Sequence, residues 1–519
     1  MAAGVRRGGP RGDGVANRQR TKLTPGDIVA GLSVAAVLIP QSLAYAGLAG
    51  MPPERGLYAA ALPPIAAALF ACSPYLQTGP VALTSLLTFG ALSAHAAPGS
   101  DEYIELGIVL ALAVGVIRVV LGLIRGGVIA YLLSEPVLIG FVPGAAILIC
   151  LSQLPTALGV SPAGHGIVAN ALDALAHPSS WDWTSIALGL ITVALMKGAP
   201  RVHRLVPGVL LAVIGSIAWS SVTDYSGATL GTIEIGLPGL PDGIDPGTLP
   251  LLLVSGLIIA LVGFAEPAAI ARTFATVERQ RWDANQELVS QGAANLASAV
   301  SGGFPVGGSF SRSSLNRLAG ARTRWAGAVT GLAVLCFLPF AKVLAPLPLP
   351  VLAAIVIVAA LGLARLRPLA RLVRLSRWQA AVAWTTFAAT LALSPHVEYA
   401  VLLGVGIAVL VHLLREMLVD IDIHLDGDTL TFRPRGVLWF ASSKVIEDAF
   451  AVAIADHPRA RKVDIDLAGV GRLDVTSALV LRRMLADARA AKLEARLIDV
   501  PPRARRFLLP VVESEVEPL

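Results

Sequence analysis

The chain has 519 residues and a formal net charge of +6; 55% of its residues are apolar, 15% are charged, and the mean hydropathy is +0.71. Soluble domains carry about 25% charged residues and disordered chains are poor in apolar ones, so this composition excludes both classes. A polytopic membrane protein is the class that the composition predicts.

The chain opens with a basic arm over residues 1–24, which we expect to be cytoplasmic and in which no hydrophobic region of a cleavable signal is found. About fourteen apolar segments follow, each suited to a membrane-spanning helix. They cover residues 28–50, 57–71, 80–97, 104–124, 128–154, 184–197, 205–220, 249–271, 285–301, 308–320, 326–345, 350–364, 378–394 and 397–414. The series predicts an α-helical transmembrane domain over residues 25–415.

Basic residues alternate between the two sides of this arrangement. If the N-terminus is cytoplasmic, the loops after even-numbered spans carry nearly all the Lys and Arg, whereas residues 155–182 and 221–248 contain none. Arg118 and Arg125 fall to one of the cytoplasmic loops in this assignment. Because cytoplasmic loops are enriched in Lys and Arg, the pattern predicts about fourteen spans with both termini inside.

Two of the weaker segments are interrupted in the same way. Gly and Pro stop a helix at residues 77–80 and again at residues 302–308, and small or hydroxyl residues open the next helix each time. These are the third spans of two sets of seven, so the pattern predicts inverted repeats over about 25–222 and 249–415. The alternative is that both interruptions are loops between ordinary spans.

Half-helices of this kind begin with free backbone N–H groups and the positive end of a helix dipole. Two such ends that face each other form an anion site without needing a Lys or Arg. Arg312 lies just inside the second half-helix. Its guanidinium either adds charge to the anion site or controls access to it, or it reaches lipid headgroups at the membrane surface.

Other polar residues interrupt the apolar segments. Glu266 stands in the otherwise uncharged stretch Leu257–Ile270, where a carboxylate takes up a proton or requires a partner. It is a coupling group that gains and loses a proton, a structural hydrogen-bonding group, or a residue just beyond the end of the span. Gln41 and Tyr45 are four residues apart and share one helix face, which predicts either a substrate-site lining or helix–helix hydrogen bonding.

Several classes of function are not supported by any motif. The sequence has no nucleophile–base pair, no nucleotide-binding loop and no spacing of metal ligands, so we expect neither an enzyme nor a bound metal or cofactor. The three cysteines stand apart in apolar runs and are expected to be core residues. Basic residues that face anionic lipid and cytosol account for the net charge, so we expect a lipid bilayer and no nucleic acid as partner.

The character of the chain changes near residue 425. Short strand patterns alternate with amphipathic helical patterns, which predicts a small cytoplasmic α/β domain over residues 425–519. The strand patterns lie at 429–432, 437–441, 463–467 and 495–500, and the helical patterns at 443–455 and 476–491.

With these motifs the chain resembles the sulfate permease (SulP) family of anion transporters, over nearly all of its length after the arm. The C-terminal domain resembles a STAS domain, the usual cytoplasmic appendage of that family. The membrane motifs that carry the resemblance are Asp27–Leu32, Ile39–Ala46, Ala49–Pro53, Gly56–Tyr58, Thr78–Pro80, Glu287–Leu288, Gln291–Gly292, Asn295 and Gly308–Ser313.

The resemblance implies a fold and an assembly. Spans 1–4 and 8–11 would form a mobile core, spans 5–7 and 12–14 a gate, and the core would carry the anion by an elevator movement. It also implies a homodimer in the cell inner (plasma) membrane, with the STAS domain in the cytoplasm. Soluble STAS phosphoswitches carry a Ser directly after an Asp, whereas Val475 follows Asp474 here. Thr476 could replace the Ser, but packing, dimerisation or trafficking is the role expected for this domain.

By position, the resemblance also implies the residues of the site, with the anion between half-helices 3 and 10. The implied binding residues are Gln41, Tyr45, Val81, Ala82, Ser309, Phe310, Ser311 and Arg312. Glu266 matches the position linked to cation coupling, where Glu favours a proton and Asp favours sodium.

The sequence thus predicts a secondary active transporter of small inorganic or organic anions, of the sulfate type, working by proton symport. Sodium-coupled transport of bicarbonate or a C4-dicarboxylate is one alternative. Others are an uncoupled anion channel or exchanger and a membrane sensor that signals through the STAS domain. A site made of backbone amides recognises charge and size loosely, so residue types do not choose the anion.

Overall fold

The computed structural model describes residues 22–127, 134–161, 166–202, 207–233, 249–502, 504–505 and 508. Most of the predicted basic arm therefore lies outside the described residues. The chain divides into two compact units, Met1–Val405 and Gly406–Leu519.

The membrane part of the chain is helical, as its apolar runs predict. Its first half contains α1 (Pro25–Leu48), α2 (Pro53–Phe70), the short strand β1 (Thr78–Gly79), α3 (Ala82–Leu92), α4 (Asp101–Leu123), α5 (Glu135–Ala157), α6 (Ile167–Ala176), a 3-10 turn (Pro178–Ser180), α7 (Trp183–Val202) and α8 (Gly208–Thr223). Its second half contains α9 (Leu249–Val277), α10 (Ala284–Val300), β2 (Gly307–Gly308), α11 (Phe310–Leu318), α12 (Trp325–Phe337), a 3-10 segment (Leu338–Leu344), α13 (Leu349–Leu361), α14 (Leu366–Leu375), α15 (Arg377–Ala392) and α16 (Val397–Met417).

Each predicted apolar segment overlaps one of these helices, and several helices, such as α7 and α9, extend beyond the predicted segment. Among the described residues, 7 helical stretches are long and apolar enough to cross a membrane, while α3, α6, α7 and α8 are shorter apolar helices. The number of about fourteen crossings and the division into two sets of seven therefore stay predictions.

Two helices lie where the sequence predicted only loops. They are α6 and α14, and each buries just a few side chains: Ile167, Ala171 and Ala174 in α6, and Leu369 and Leu372 in α14. Arg and Leu alternate in α14 with the period of an amphipathic helix. The pattern used to find membrane spans searches for continuous apolar runs, so it passes over helices of this kind.

The helices around the two short strands approach each other closely. Helix α4 packs on α10 through glycines: a Cβ on Gly292 would lie 2.8 Å from the backbone nitrogen of Val119, and a Cβ on Gly115 would lie 2.8 Å from that of Leu296. Small residues let the two helix backbones approach closely. Such close packing is important in lipid, because apolar burial drives little association between helices there.

The structure corrects the position of Arg118, which the alternation of basic residues assigned to a cytoplasmic loop. The residue lies within α4, is 0% exposed, and donates hydrogen bonds to backbone carbonyls of α9 and of the segment before β2. Counting basic residues near span ends does not separate a loop Arg from one that lies less than two turns inside the helix.

The second unit is an α/β domain. Its elements are β3 (Asp420–Asp426), β4 (Thr429–Leu438), α17 (Phe440–Asp456), β5 (Lys462–Asp466), β6 (Val470–Leu473), α18 (Val475–Ala490) and β7 (Glu494–Ile498). The strand order is β3-β4-β5-β7, and β6 also pairs with β4; β3 is antiparallel to β4 and the other pairs are parallel. The core between sheet and helices contains Leu430, Phe432, Ile465, Leu481 and Leu497.

The sequence missed two strands of this sheet and misplaced a third. The predicted strand at 437–441 is the end of β4 together with the first turn of α17. Strand β3 begins at Asp420, before the predicted start of the domain at 425. The residues of β3 are largely exposed, as in an edge strand, and Asp alternates there with apolar residues. Strand β6 is too short to show an alternation of apolar and polar residues.

Candidate functional site

The two helix interruptions meet in a short antiparallel ladder. Thr78 of β1 pairs with Gly308 of β2, and Gly79 pairs with Gly307. The backbone N–H of Ser309 donates to the carbonyl of Gln77 at 3.0 Å and extends the ladder. Backbone that would otherwise be unpaired at membrane depth is thus satisfied between the two interruptions.

A half-helix begins directly after each strand. Val81 precedes α3 and Ser309 precedes α11, and in neither case does the side chain cap the helix. Both helix starts therefore present first-turn N–H groups and a positive dipole end to the space beside the ladder. Val81, Ala82 and Ser309 are buried, at 6%, 5% and 8% exposure.

The first turn of α11 is more open than that of α3. Phe310 is 53% exposed, and its ring stacks on Phe274 of α9 with centroids 6.3 Å apart. Ser311 is also exposed, and its hydroxyl lies 3.2 Å from that of Ser309. The first two side chains of this helix are thus exposed.

Arg312 lies inside the protein, with an exposure of 1%. Its Nη1 donates to Oε1 of Gln41 on α1 at 3.3 Å, and Nε and Nη2 have no hydrogen-bond partner among the described residues. A Cβ on Gly79 would lie 3.6 Å from Nη2, so the free edge of the guanidinium is next to β1. The position agrees with the interior alternative for Arg312 and not with contact to lipid headgroups.

The other predicted side chains surround the same guanidinium. Gln41 and Tyr45 are each 5% exposed on α1, and Tyr45 is within electrostatic range of Arg312. Glu266 on α9 lies beside the backbone amide of Phe310 and within electrostatic range of Arg312. Every site residue predicted from the sequence therefore lies at or beside the starts of α3 and α11.

A set of polar residues on α10 supports the ladder, and the sequence gave them no role. Gln291 Nε2 donates to Oγ1 of Thr78 at 2.8 Å. Asn295 clamps the peptide groups of Val306: its Oδ1 accepts from the Val306 N–H at 2.9 Å and its Nδ2 donates to the Val306 carbonyl at 3.1 Å. Both side chains are 0% exposed. They are four residues apart and therefore share one helix face, which was the signal in the sequence for a common polar contact.

Arg118 is the other residue that sequence reasoning missed at this site. Its Nη1 donates to the same Val306 carbonyl at 3.0 Å. The signal in the sequence for a buried functional residue was a single Arg among apolar residues. Because it lies near the end of α4, it was assigned to a loop. The ladder is thus held by one cation and two amide side chains.

The donor set suits an anion. It consists of backbone N–H groups at two helix starts and one partly unpartnered guanidinium, with one carboxylate at its edge. Within the described part of the chain, no cluster of three or more His, Cys, Asp or Glu could hold a metal ion.

Known proteins resemble the chain in sequence. The model of the sulfate permease family matches residues 25–386, and that of the STAS domain matches residues 420–509. A probable sulfate transporter of Mycobacterium tuberculosis is 36% identical over 391 residues, which cover 74% of this chain and 69% of that protein. The chloroplastic sulfate transporter 4.1 of Arabidopsis thaliana is 33% identical over 393 residues, covering 73% and 57%.

Solved structures resemble the chain in fold. The murine solute carrier 26 family member A9 anion transporter, in its inward-facing state, superposes with a TM-score of 0.87 at 20% identity, covering 96% of this chain and 90% of that one. The transmembrane domain of the cyanobacterial bicarbonate transporter BicA gives a TM-score of 0.64 at 24% identity, covering 74% and 97%.

Proposed function

Because the chain belongs to the sulfate permease family, we propose that it is a secondary active transporter that moves small anions of the sulfate type across a membrane. The family consists of transporters, so the protein is not an enzyme. The chain is a multi-pass membrane protein with a STAS domain. Its similarity to sulfate transporters supports a function in anion transport.

One observation carries the proposal: β1 and β2 pair directly and bring two uncapped helix starts together beside Arg312. An anion there would accept hydrogen bonds from the amides of Val81 and Ala82 on one side and of Phe310 and Ser311 on the other. The Ser309 amide, which the sequence assigned to the anion, already donates to Gln77, so Ser309 would contribute its hydroxyl. Gln41 and Tyr45 would complete the site. Such a site needs no metal, because the amides at the helix starts and the Arg312 guanidinium supply both the donors and the positive charge.

Sulfate is the first choice of substrate because relatives of the chain are named as sulfate transporters. Bicarbonate is the first alternative, since a bicarbonate transporter shares the fold. C4-dicarboxylates are the second alternative, because backbone amides bind carboxylates as well as sulfate.

Glu266 is proposed as the coupling residue, with a proton as the coupling ion and sodium as the alternative. Its carboxylate lies beside the Phe310 amide and near Arg312, two groups that would also face the anion. When Glu266 is ionised it competes with the anion for these groups, and when it is protonated it does not. Proton uptake and anion binding would then favour each other, which is the requirement for symport.

The transport domain is proposed to cover residues 25–415 and the STAS domain 425–519, with β3 extending the latter to Asp420. We further propose an elevator movement of a core made of α1–α4 and α9–α12 against the remaining helices. The protein would be a homodimer in the cell inner membrane with a cytoplasmic STAS domain. The likeness to the solute carrier 26 member supports this arrangement at the level of the fold.

The STAS domain is not proposed as a phosphoswitch. Asp474 caps α18 by accepting from the backbone N–H of Ser477 at 2.8 Å, and the next residue, Val475, is 55% exposed and has no hydroxyl. Thr476 is exposed in the same turn, so it is the position to examine if phosphate is found. A structural or assembly role for the domain fits these residues better.

Uptake into proteoliposomes tests the proposal. Labelled sulfate, bicarbonate, succinate and fumarate are offered with an imposed proton gradient, a sodium gradient or no gradient, and protein-free liposomes are the control. Accumulation of sulfate above equilibrium with a proton gradient alone is expected. Movement without accumulation would indicate a channel or exchanger, and no movement of any anion would indicate a sensor; either outcome overturns proton symport.

A further inference from the structure

The side chain of Arg118 is a fully buried cation with only neutral partners. Its Nε, Nη1 and Nη2 donate to the carbonyls of Ala260, Val306 and Ile259 at distances of 3.1, 3.0 and 3.1 Å. No acidic residue in the described part of the chain interacts with it. Buried charges are normally paired, because an unpaired one costs several kcal/mol even after local relaxation.

The Arg118 guanidinium lies close to the segment that precedes β2 and to the first turn of α3. On one side it binds Val306, the residue before β2. On the other side it approaches α3: a Cβ on Gly263 would lie 2.7 Å from Nη2 of Arg118 and 3.0 Å from Cγ2 of Thr84, in the first turn of α3. The position is therefore next to the proposed anion site, although the Val306 peptide stands between Arg118 and the ladder.

The three charged side chains Arg118, Arg312 and Glu266 do not balance without a ligand. When Glu266 is ionised it offsets the charge of Arg312, within whose electrostatic range it lies. Arg118 adds a further positive charge, because a guanidinium stays protonated in proteins. Carbonyl dipoles solvate this charge but do not cancel it, and the water-poor surroundings screen it weakly.

We propose that the unpaired charge of Arg118 is matched by the transported anion, so that Arg118 sets the preference for divalent over monovalent anions without touching them. This inference rests on the proposed function. Arg118 is a positioning residue through its bond to Val306 and acts on affinity through its charge. Since Coulomb energy scales with the charge of the ligand, a divalent anion gains twice the energy from Arg118 that a monovalent anion gains.

The neutral variant Arg118→Gln tests the inference against Asn295→Ala. Asn295→Ala removes hydrogen bonds to the same Val306 peptide without changing any charge. Binding of labelled sulfate to purified full-length protein is measured, together with its displacement by unlabelled sulfate and by monovalent bicarbonate and nitrate. Wild-type binding of sulfate is the prerequisite, and its absence would count against the proposed function and not against the role of Arg118 alone.

Arg118→Gln is expected to weaken sulfate binding about tenfold and monovalent binding only about threefold. Asn295→Ala is expected to weaken both classes by the same factor. Equal losses for both classes in Arg118→Gln, or no loss, would overturn the inference.

Arg118→Lys keeps the test decisive if the Gln variant does not fold. It retains the charge but cannot reproduce the three-armed hydrogen bonding of a guanidinium. Its ratio of sulfate to nitrate affinity is expected to stay within about twofold of wild type. If the ratio in Arg118→Lys falls by about threefold, as expected for the neutral Arg118→Gln, a role for the charge is contradicted.

Discussion

Nη1 of Arg312 donates a hydrogen bond to Oε1 of Gln41 at 3.3 Å, which joins the second half-helix to the first span of the chain. The two residues are 271 positions apart in sequence, and both are buried. The contact leaves the Nη2 edge of Arg312 free beside β1. A charged donor held in this way, next to two helix starts, is prepared for an anion.

Replacing Arg312 should weaken anion binding. We expect Arg312→Ala to raise the half-saturating sulfate concentration at least about tenfold and to reduce its dependence on ionic strength, because one charge-assisted contact is lost. Sulfate binding at several salt concentrations measures both effects.

Arg317 is the matched control for this variant. It lies on the same helix, α11, but is 40% exposed and pairs with Glu278 at 2.7 Å. Arg317→Ala should change sulfate affinity less than about twofold, since exposed ion pairs contribute little. Equal effects of the two variants would assign Arg312 a structural role.

Removing the charge of Glu266 should uncouple transport. Glu266→Gln keeps the shape and one acceptor, so sulfate exchange is expected to continue while accumulation driven by a proton gradient is lost. Wild-type uptake should rise as the outside becomes more acidic, and uptake by the variant should not. Glu278→Gln, directly after α9, is the control. Gradient-driven accumulation that survives in Glu266→Gln would show that coupling lies elsewhere.

The backbone of the ladder depends on Gly79. Its φ of +152° lies in a region that side chains rarely adopt, and a Cβ there would approach the guanidinium of Arg312. Gly79→Ala should cost about 1–3 kcal/mol of strain and reduce sulfate uptake strongly. Gly99→Ala provides the control, because Gly99 has a φ of +83° but lies in open space away from the site. Uptake lost to the same extent in both variants would mean that strain alone is responsible.

Asp27 should matter for stability. Its Oδ1 accepts from the backbone N–H groups of Arg322 and Thr323 at 2.7 and 2.8 Å, and its Oδ2 accepts from Thr24 at 2.9 Å. Asp27→Ala leaves these donors, of which the Thr323 N–H is buried, without a partner. It should lower stability by about 3 kcal/mol, seen as a lower melting temperature in detergent. Asp101→Ala, at an exposed helix start, should have less effect. An unchanged melting temperature would show that water replaces the carboxylate.

The sequence predicted the helices and the location of the site better than the contacts within it. Apolar runs are a local signal, so every predicted segment overlaps a helix, and Gly and Pro located both interruptions. The register that sets Thr78 opposite Gly308 is a long-range contact, which no local pattern specifies. Only the resemblance to a family grouped residues such as Gln41 and Phe310.

Arg118 shows where sequence reasoning failed. Helix α4 is apolar on nearly every face, so periodicity does not tell which residues face protein and which face lipid. A basic residue near its end was assigned to the cytoplasm by default. The acceptors for its guanidinium are main-chain carbonyls of Ile259, Ala260 and Val306, and carbonyls leave no trace in a sequence. Strand β3 was missed for a related reason, because it is defined by its backbone pairing with β4 and not by a pattern of buried residues.

The most direct test of the central claim is to locate the anion in the protein. An electron cryo-microscopy structure in lipid nanodiscs with saturating sulfate, compared with one in a sulfate-free buffer, would do so. We expect density for one sulfate between the starts of α3 and α11, within hydrogen-bonding distance of amides from Val81–Ala82 and Phe310–Ser311. Density elsewhere, or an empty space there in a preparation that transports sulfate, would contradict the account.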